Sequence, residues 1–196
     1  MHSEFPNIIN KDGIAVYYGC ILNEQSLRDI YTKLFNKIAW QQDQIMMFGK
    51  PITTKRKVAF YADNHIDYTY SSVKKKGLPW IPELLQIKKL TESYTGAKYN
   101  ACLLNLYHTG EEGMGWHCDD EKEIIVNSSI ASLSIGAERK FAFKHKATKE
   151  TVSVMLENGS LLEMKGSIQQ NWWHSLPKTK KVDSPRINLT FRQMQS

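Results

Sequence analysis

Cysteine is scarce in this chain: there are three in 196 residues, Cys20, Cys102 and Cys118, far apart and odd in number. That excludes a disulfide framework of the kind small secreted domains use. The absence of any CxxC pair excludes zinc ribbons and thioredoxin-type redox chemistry. No apolar run approaches the roughly 20 residues that a membrane span needs. The opening stretch "MHSEFPNIINKDG" also lacks the apolar segment of a signal peptide. A protein without membrane association, working inside the cell, is expected. Internal repeats and low-complexity segments are missing too, which removes repeat architectures.

What is present suits a globular protein: 41% hydrophobic residues, 11% aromatics and a length that fits one well-cored domain over residues 1–196. Lys and Arg number 26 against 20 Asp and Glu, a formal charge of +6 with a pI near 9.1, which leans toward a polyanionic partner such as nucleic acid. The basic residues bunch in "TKRK" (54–57), "KKK" (74–76), "KHKATK" (144–149) and "KTKK" (178–181). A single run of this kind is ordinarily a solvated loop, whereas four in one domain can line a groove that follows phosphates.

From Glu24 to Trp40 the residues Leu27, Ile30, Tyr31, Leu34, Phe35 and Ile38 recur at three- and four-residue intervals, which predicts a helix with Asn23 as its N-cap. A second helix is expected from Pro82 to about Tyr94, ahead of Gly96, with Leu84, Ile87 and Leu90 following the helical period loosely. Between them lie the strand-like pieces "KVAFYA" (57–62) and "DYTYSS" (67–72). After Tyr99 the texture becomes a rhythm of short β segments: "YNACLLNLY", "SIASLSIG", "KFAFKH", "TVSVML", "SLLEM" and "RINLTFR". An α+β, mainly β, fold is expected, with a helical N-terminal layer packed on a β-core.

Two segments carry the candidate chemistry. In "RINLTFR" strand alternation puts Arg186, Asn188, Thr190 and Arg192 on one face and Ile187, Leu189 and Phe191 on the other. The polar face either meets solvent, as in an ordinary amphipathic strand, or lines a cavity. In a cavity its arginines, about 20 Å of backbone apart at ~3.3 Å per residue, would reach an anion through bidentate forks. In "MGWHCDDEKEI" (114–124), His117 and Asp119 stand at i and i+2, on one side of an extended segment. A histidine and one carboxylate begin a 2-His-1-carboxylate triad, which leaves coordination positions open on non-haem Fe(II). His174 in "NWWHSLP", followed by Arg186, stands in the right order to complete it. The same acidic density also fits a solvated loop.

"NLYHTGEEGMGWHCDDE", "IASLSIGAERKFAFKH", "NWWHSLP" and "PRINLTFR" together resemble the AlkB family of Fe(II)- and 2-oxoglutarate-dependent nucleic-acid demethylases. The similarity runs over about residues 45–194 and is nearest the branch that repairs alkylated bases in duplex DNA. It implies a double-stranded β-helix (jelly-roll) core over about 99–194. A nucleotide-recognition lid with a supporting helix would occupy about 46–98, and a helical preface about 1–45. The implied cofactors are Fe(II), 2-oxoglutarate and O2. The implied reaction is oxidative demethylation of bases such as 1-methyladenine and 3-methylcytosine, releasing formaldehyde, succinate and CO2.

Residue by residue, the resemblance makes His117, Asp119 and His174 iron ligands. Arg186, assisted by Asn105 and Tyr107, would hold the distal carboxylate of 2-oxoglutarate. Arg192 with Asn188 and Thr190 would lie by its keto-acid end or brace it. A base must leave the stack to reach a buried iron, and Phe48, with Met47 beside it in "MMFGK", would fill the gap as an apolar wedge. Tyr68, Tyr70, Ser71 and Arg56 match lid positions that contact the flipped nucleotide. Asp120 would brace the ligand segment and Arg192, and Glu121 would read the edge of a base that methylation has made cationic. Lys144, His145 and Lys146 would meet the nucleic-acid backbone. The duplex branch carries a longer basic insertion where this chain has only "KHKATKETVSV", so DNA in duplex or single-stranded form, or RNA, all stand as partners.

Other classes on the same fold are a protein or small-molecule hydroxylase and a catalytically silent nucleic-acid binder. The intact set of ligands with Arg186 argues against the silent binder. A monomer is expected, in the cytoplasm of a bacterium or the nucleus of a eukaryote.

Overall fold

Alternating side chains build two antiparallel sheets in the computed structural model, which describes residues 5–47, 50–63, 66–70 and 73–195; the side chains of 43–51 and 67–75 lie outside that description. In chain order the elements begin with β1 (Ile14–Cys20), α1 (Glu24–Lys37), β2 (Gln41–Met47) and β3 (Lys50–Ala62). β4 (Asp67–Tyr70), β5 (Val73–Lys76), α2 (Pro82–Thr95) and β6 (Ala101–Tyr107) follow. Then come β7 (Met114–His117), β8 (Ile130–Gly136), β9 (Arg139–His145), β10 (Thr151–Leu156) and β11 (Ser160–Lys165). The chain closes with α3 (Ile168–Asn171), β12 (Trp172–Leu176) and β13 (Arg186–Arg192).

The major sheet has the order β1-β11-β8-β13-β6-β3-β2, the minor sheet β10-β9-β12-β7, and β4 and β5 pair separately. One face of the major sheet carries Leu104, Leu133, Leu189 and Phe191 against Leu27 and Leu34 of α1 and Leu84 and Ile87 of α2. The opposite face meets the minor sheet through Ile130, Leu162, Phe143, Trp172 and Leu176. Strand β13 lies at the centre of the major sheet and is buried at every position. Its Ile187, Leu189 and Phe191 enter the helix-side core, so the four polar residues must face the space between the sheets. This is the mainly β sandwich, with helices on one outer face, that the alternation predicted.

The helices form as their sequences dictate. The Asn23 side chain accepts the Ser26 N–H, and Gly96 adopts the left-handed conformation (φ 71) that closes α2 behind its N-terminal proline. α1 stops at Lys37, before Trp40, because Ile38 is already extended; Phe35, expected on the packed face, is 43% exposed and stacks on Tyr31. The loose period of α2 is completed by Thr91, which is fully buried and carries the stripe on from Leu84 and Ile87. The stretch expected as a helical preface needs correcting. Residues 14–20 form β1, which pairs with β11 and becomes one edge of the major sheet. No described helix is long and apolar enough to cross a membrane.

Candidate active site

β7 and β12 bring the candidate metal ligands together by pairing His117 directly with His174. The next pair in register is Met114 with Leu176, so two residues of β7, Gly115 and Trp116, oppose Ser175 alone. That bulge changes the parity of β7. Met114 and His117, three apart, would otherwise point to opposite faces, yet both line the same cavity, while Trp116 turns outward. The Nδ1–H of His117 donates to the Gly115 carbonyl at 2.8 Å, which leaves Nε2 with its lone pair toward the cavity.

Asp119 leaves the end of β7 with its N–H donated to Gln169 Oε1 at 3.0 Å. Its Oδ1 stands 3.8 Å from Nε2 of His117 and 3.8 Å from Nε2 of His174. The three ligand atoms lie within 4.8 Å of one another. Separations of 3.8 Å are too long for hydrogen bonds and fall inside the ~4.2 Å that two ligands of one ion, each about 2.1 Å away, can span.

Asp119 Oδ2 accepts from Arg192 Nη2 at 2.8 Å, with both side chains buried. Burial works to raise the Asp119 pKa, but Arg192, His174 and His117 together outweigh it and hold the carboxyl well below the usual carboxylate range. Burial and the neighbouring His117 push His174 down to about 3, leaving it a neutral imidazole. Phe141 stacks on that ring, 5.5 Å centroid to centroid. A carboxylate and a neutral imidazole, with a second imidazole aimed at the same point, make a donor set suited to a divalent cation.

The other end of the cavity is cationic. Arg186 is buried, donates one bond from Nη2 to Ser134 Oγ at 2.9 Å, and has an Nε with no hydrogen-bond partner. Burial lowers its pKa to about 10, so it stays charged at neutral pH. It lies against the ring of Tyr107, its register partner on β6. Asn105 sits opposite Asn188 on the same pair of strands. A buried arginine with donors to spare fits the carboxylate of a bound organic acid.

Asn188 and Thr190 also line the cavity but are partly engaged: Asn188 donates to Ser132 Oγ at 2.8 Å and accepts from the Thr190 hydroxyl at 3.1 Å. Ser132 and Ser134, two apart on β8, were detectable as a polar face in "ASLSIG" and were missed.

Asp120, His145 and Lys146 are placed away from their expected roles. Asp120 is exposed, and the carboxylate that braces Arg192 is the ligand Asp119 itself. Glu121 is half-buried in a turn in which its carbonyl accepts the Ile124 N–H. His145 does not meet the surface: it is buried edge-on to Trp172, with Nε2 3.0 Å from Asp12 Oδ2. Its Nδ1 accepts the N–H groups of Ala147 and Thr148, so the ring pins the β9–β10 turn. Lys146 is committed to the Gln169 carbonyl at 2.9 Å, whereas Lys144 lies over the Trp116 ring at 5.8 Å. Arg56 is buried on β3 beside Met114 Sδ (3.4 Å) and over Tyr107 (5.9 Å), at the rim of the cavity. Phe48 and Ser71, and the side chains of Met47, Tyr68 and Tyr70, lie outside the described residues.

Arg139 gave no signal in the sequence. It is 2% exposed and donates to the carbonyls of Gly110, Glu112 and Pro177 at 2.8–3.3 Å, with Thr109 at 3.4 Å. It thereby ties the segment after β6 to the one after β12. Gly110 completes the tie, since a Cβ there would meet the Thr179 carbonyl oxygen at 2.4 Å. Both segments line the groove beside the cavity mouth, with Lys55, Arg56 and Lys178. Arg139→Met is expected to strand buried carbonyls at a cost of about 3 kcal/mol, lowering the melting midpoint by roughly 6–12 °C. Calorimetry checks this, and an unchanged midpoint would show that the tie is dispensable.

Comparison with known proteins agrees with this geometry. The model of the 2OG-Fe(II) oxygenase superfamily matches residues 14–192. "DNA oxidative demethylase ALKBH2" of Bos taurus is 35% identical over 197 residues, covering 95% of this chain and 71% of the relative. "Alpha-ketoglutarate-dependent dioxygenase alkB homolog 3" of Bos taurus is 35% identical over 209 residues, covering 95% and 72%. The solved structure titled "The structure of OsALKBH1" superposes with a TM-score of 0.64 at 14% identity, over 94% of this chain and 98% of that one, which shows a shared fold.

Proposed function

The chain belongs to the 2OG-Fe(II) oxygenase superfamily and, within it, to the AlkB family, and from that premise we propose that it removes N-methyl groups from alkylated bases in DNA. As a member it is a dioxygenase that uses Fe(II), 2-oxoglutarate and O2. One observation carries the site assignment: a His117–Asp119–His174 cluster, half-buried at His117 and buried at the other two, shares its cavity with Arg186, a buried cation that has a donor to spare.

His117, Asp119 and His174 would hold the iron, and Arg186 the far carboxylate of 2-oxoglutarate, with Tyr107 and Asn105 shaping that end. When bound, iron, 2-oxoglutarate and O2 supply the oxidising chemistry: succinate and CO2 leave, and the N-methyl carbon is hydroxylated. The hydroxymethyl group then falls from the base as formaldehyde. The protein's own part is positional. Arg192 fixes which oxygen of Asp119 faces the cavity, because Oδ2 is already taken. Gly115 fixes the His117 tautomer, and Gln169 holds the Asp119 backbone. Phe141, Leu176 and Leu103 give the cavity apolar walls that limit water.

On the substrate side, Phe48 with Met47 would fill the gap left by the flipped base. Tyr68, Tyr70, Ser71 and Arg56 would contact the nucleotide, and Glu121 would favour the cationic, methylated base over a neutral one. Lys144 stands as a backbone contact. We assign the chain a single domain, a monomeric state and a place wherever the cell keeps its DNA.

The test uses protein loaded anaerobically with Fe(II) and 2-oxoglutarate, then given O2 and oligonucleotides carrying 1-methyladenine or 3-methylcytosine. Duplex DNA, single-stranded DNA and RNA are compared. The mass of the DNA is expected to fall by one methyl group as formaldehyde and succinate appear together. Succinate without demethylation of any strand would sink the substrate assignment and leave the oxygenase. The short β9–β10 turn, residues 146–150, favours the reading that single strands are accepted as well as duplexes.

A further inference from the structure

We propose that the outer face of the minor sheet is a track for an unpaired nucleic-acid strand, with Trp116 and Trp173 as stacking surfaces and Lys144 and Lys149 as phosphate partners. The inference rests on the reading that the substrate is a nucleic-acid strand. It adds a second contact surface away from the cavity.

The face follows from strand parity. Phe141, Phe143, Trp172 and Leu176 point into the core between the sheets, so their alternates point out. On β9 and β12 these include Lys140, Lys144 and Trp173, and on β10 Thr151, Ser153 and Met155. The bulge in β7 adds Trp116 opposite Ser175. None of these outward residues is acidic.

The four named side chains form one continuous ladder. Lys144 and Trp173 are direct cross-strand partners. Lys144 Nζ reaches to 5.8 Å from the Trp116 ring, and Lys149 Nζ lies 4.9 Å from the Trp173 ring. Trp116 is 47% exposed and Trp173 half-buried. Lys149 takes a left-handed backbone conformation (φ 62), an uncommon state for a lysine, at the turn from which its ammonium lies over the sheet.

Indole faces and ammonium groups in alternation are what a single strand offers partners for: bases with π-faces and phosphates between them. Cation–π contact keeps both ammoniums beside the indoles, and the Lys149 ammonium also donates to the Lys146 carbonyl at 2.5 Å, which lowers the ordering cost of the phosphate contacts. The location also suits the enzyme. β7 is an edge of the minor sheet, and Trp116 and Trp173 immediately precede His117 and His174. A strand leaving the outer face over that edge reaches the cavity side of the same two strands. The track does by stacking what a longer basic loop would do by charge.

Binding of an undamaged, fluorescein-labelled oligothymidylate of about 15 nucleotides to the metal-free full chain tests this without turnover. The parent is expected to bind with quenching of tryptophan fluorescence. W116A with W173A should weaken binding by about tenfold or more, while W116F with W173F should stay within about threefold of the parent, since base–aromatic stacking tolerates a smaller ring. Lys144→Gln with Lys149→Gln should lower the slope of log Kd against log salt by about 1.4, two single-strand phosphates' worth. In the unaltered protein, ultraviolet cross-linking of an iodouracil oligonucleotide should map to Trp116 or Trp173, which removes dependence on how the variants fold.

No binding by the parent, undiminished binding by the double alanine variant, a phenylalanine variant as weak as the alanine one, or cross-links that avoid both tryptophans would each overturn the track. Binding with the expected losses, in a protein that demethylates nothing, would uphold the track and sink only the chemistry.

Discussion

Asp119→Ala is expected to abolish turnover and, separately, to destabilise the protein by about 3–5 kcal/mol. Loss of turnover follows from removing the only carboxylate of the candidate ligand set. The stability loss has a different origin, because Asp119 is already at work without metal: its Oδ2 accepts from Arg192 at 2.8 Å in a site where both side chains are 4–5% exposed. Deleting one partner of a buried pair leaves the other charge with its desolvation cost and less to offset it. For a chain of this length the melting midpoint should fall by roughly 6–20 °C. Asp119→Asn keeps the shape and an acceptor oxygen, so it should lose turnover while recovering part of the midpoint. Turnover of the alanine variant within tenfold of the parent would refute the ligand assignment. An unchanged midpoint would refute the pairing.

Arg186→Met should do the reverse to stability. Arg186 is equally buried, but it faces a cavity with one hydrogen bond to Ser134 and an Nε that has no partner. Without a bound carboxylate its charge is held at a cost, and replacing it with an apolar side chain of similar length removes that cost. The metal-free variant should therefore melt at or above the parent's temperature. Affinity for 2-oxoglutarate should fall by about 2–5 kcal/mol, roughly 30- to 5,000-fold, through loss of a buried charge-assisted contact. Isothermal titration with the metal-loaded protein measures that affinity. A variant that binds 2-oxoglutarate normally would move the carboxylate elsewhere. A variant that melts well below the parent would show Arg186 to be structural. Two arginines six residues apart on β13 are thus distinguishable: Arg192 is paired with Asp119 inside the protein, whereas Arg186 keeps a donor for a ligand.

Much of this was legible because it depends on periodicity. The alternation in "RINLTFR" placed Arg186, Asn188, Thr190 and Arg192 on one face, and their burial follows once the strand is central. The helices were readable from Asn23, Pro82 and Gly96, residues whose backbone preferences are local. What escaped depends on partners distant in the chain. His145 sits among lysines and so looked exposed, yet Asp12 and Trp172 enclose it. Asp119 and Asp120 are the same residue type, and only the placement of Arg192 shows which of them serves as the brace. Arg139 owes its role to four carbonyls from two loops, which no local pattern encodes. β1 carries the local signature of a strand in "IAVYYGC", but only its pairing with β11, far along the chain, shows that this stretch joins the sheet.

β13 follows the other described strands of the major sheet in the chain, and it lies between β6 and β8. While the protein is on the ribosome, those two neighbours have no contact partner on the sides that will later receive it. They must be kept from closing on each other or on another chain. The major sheet is joined into one piece only when residues 186–192 emerge, and Arg186 and Arg192 arrive in that same step. A nascent chain lacking this strand would therefore have neither a complete sheet nor a working site, so quality control that recognises exposed strand edges would also remove inactive enzyme.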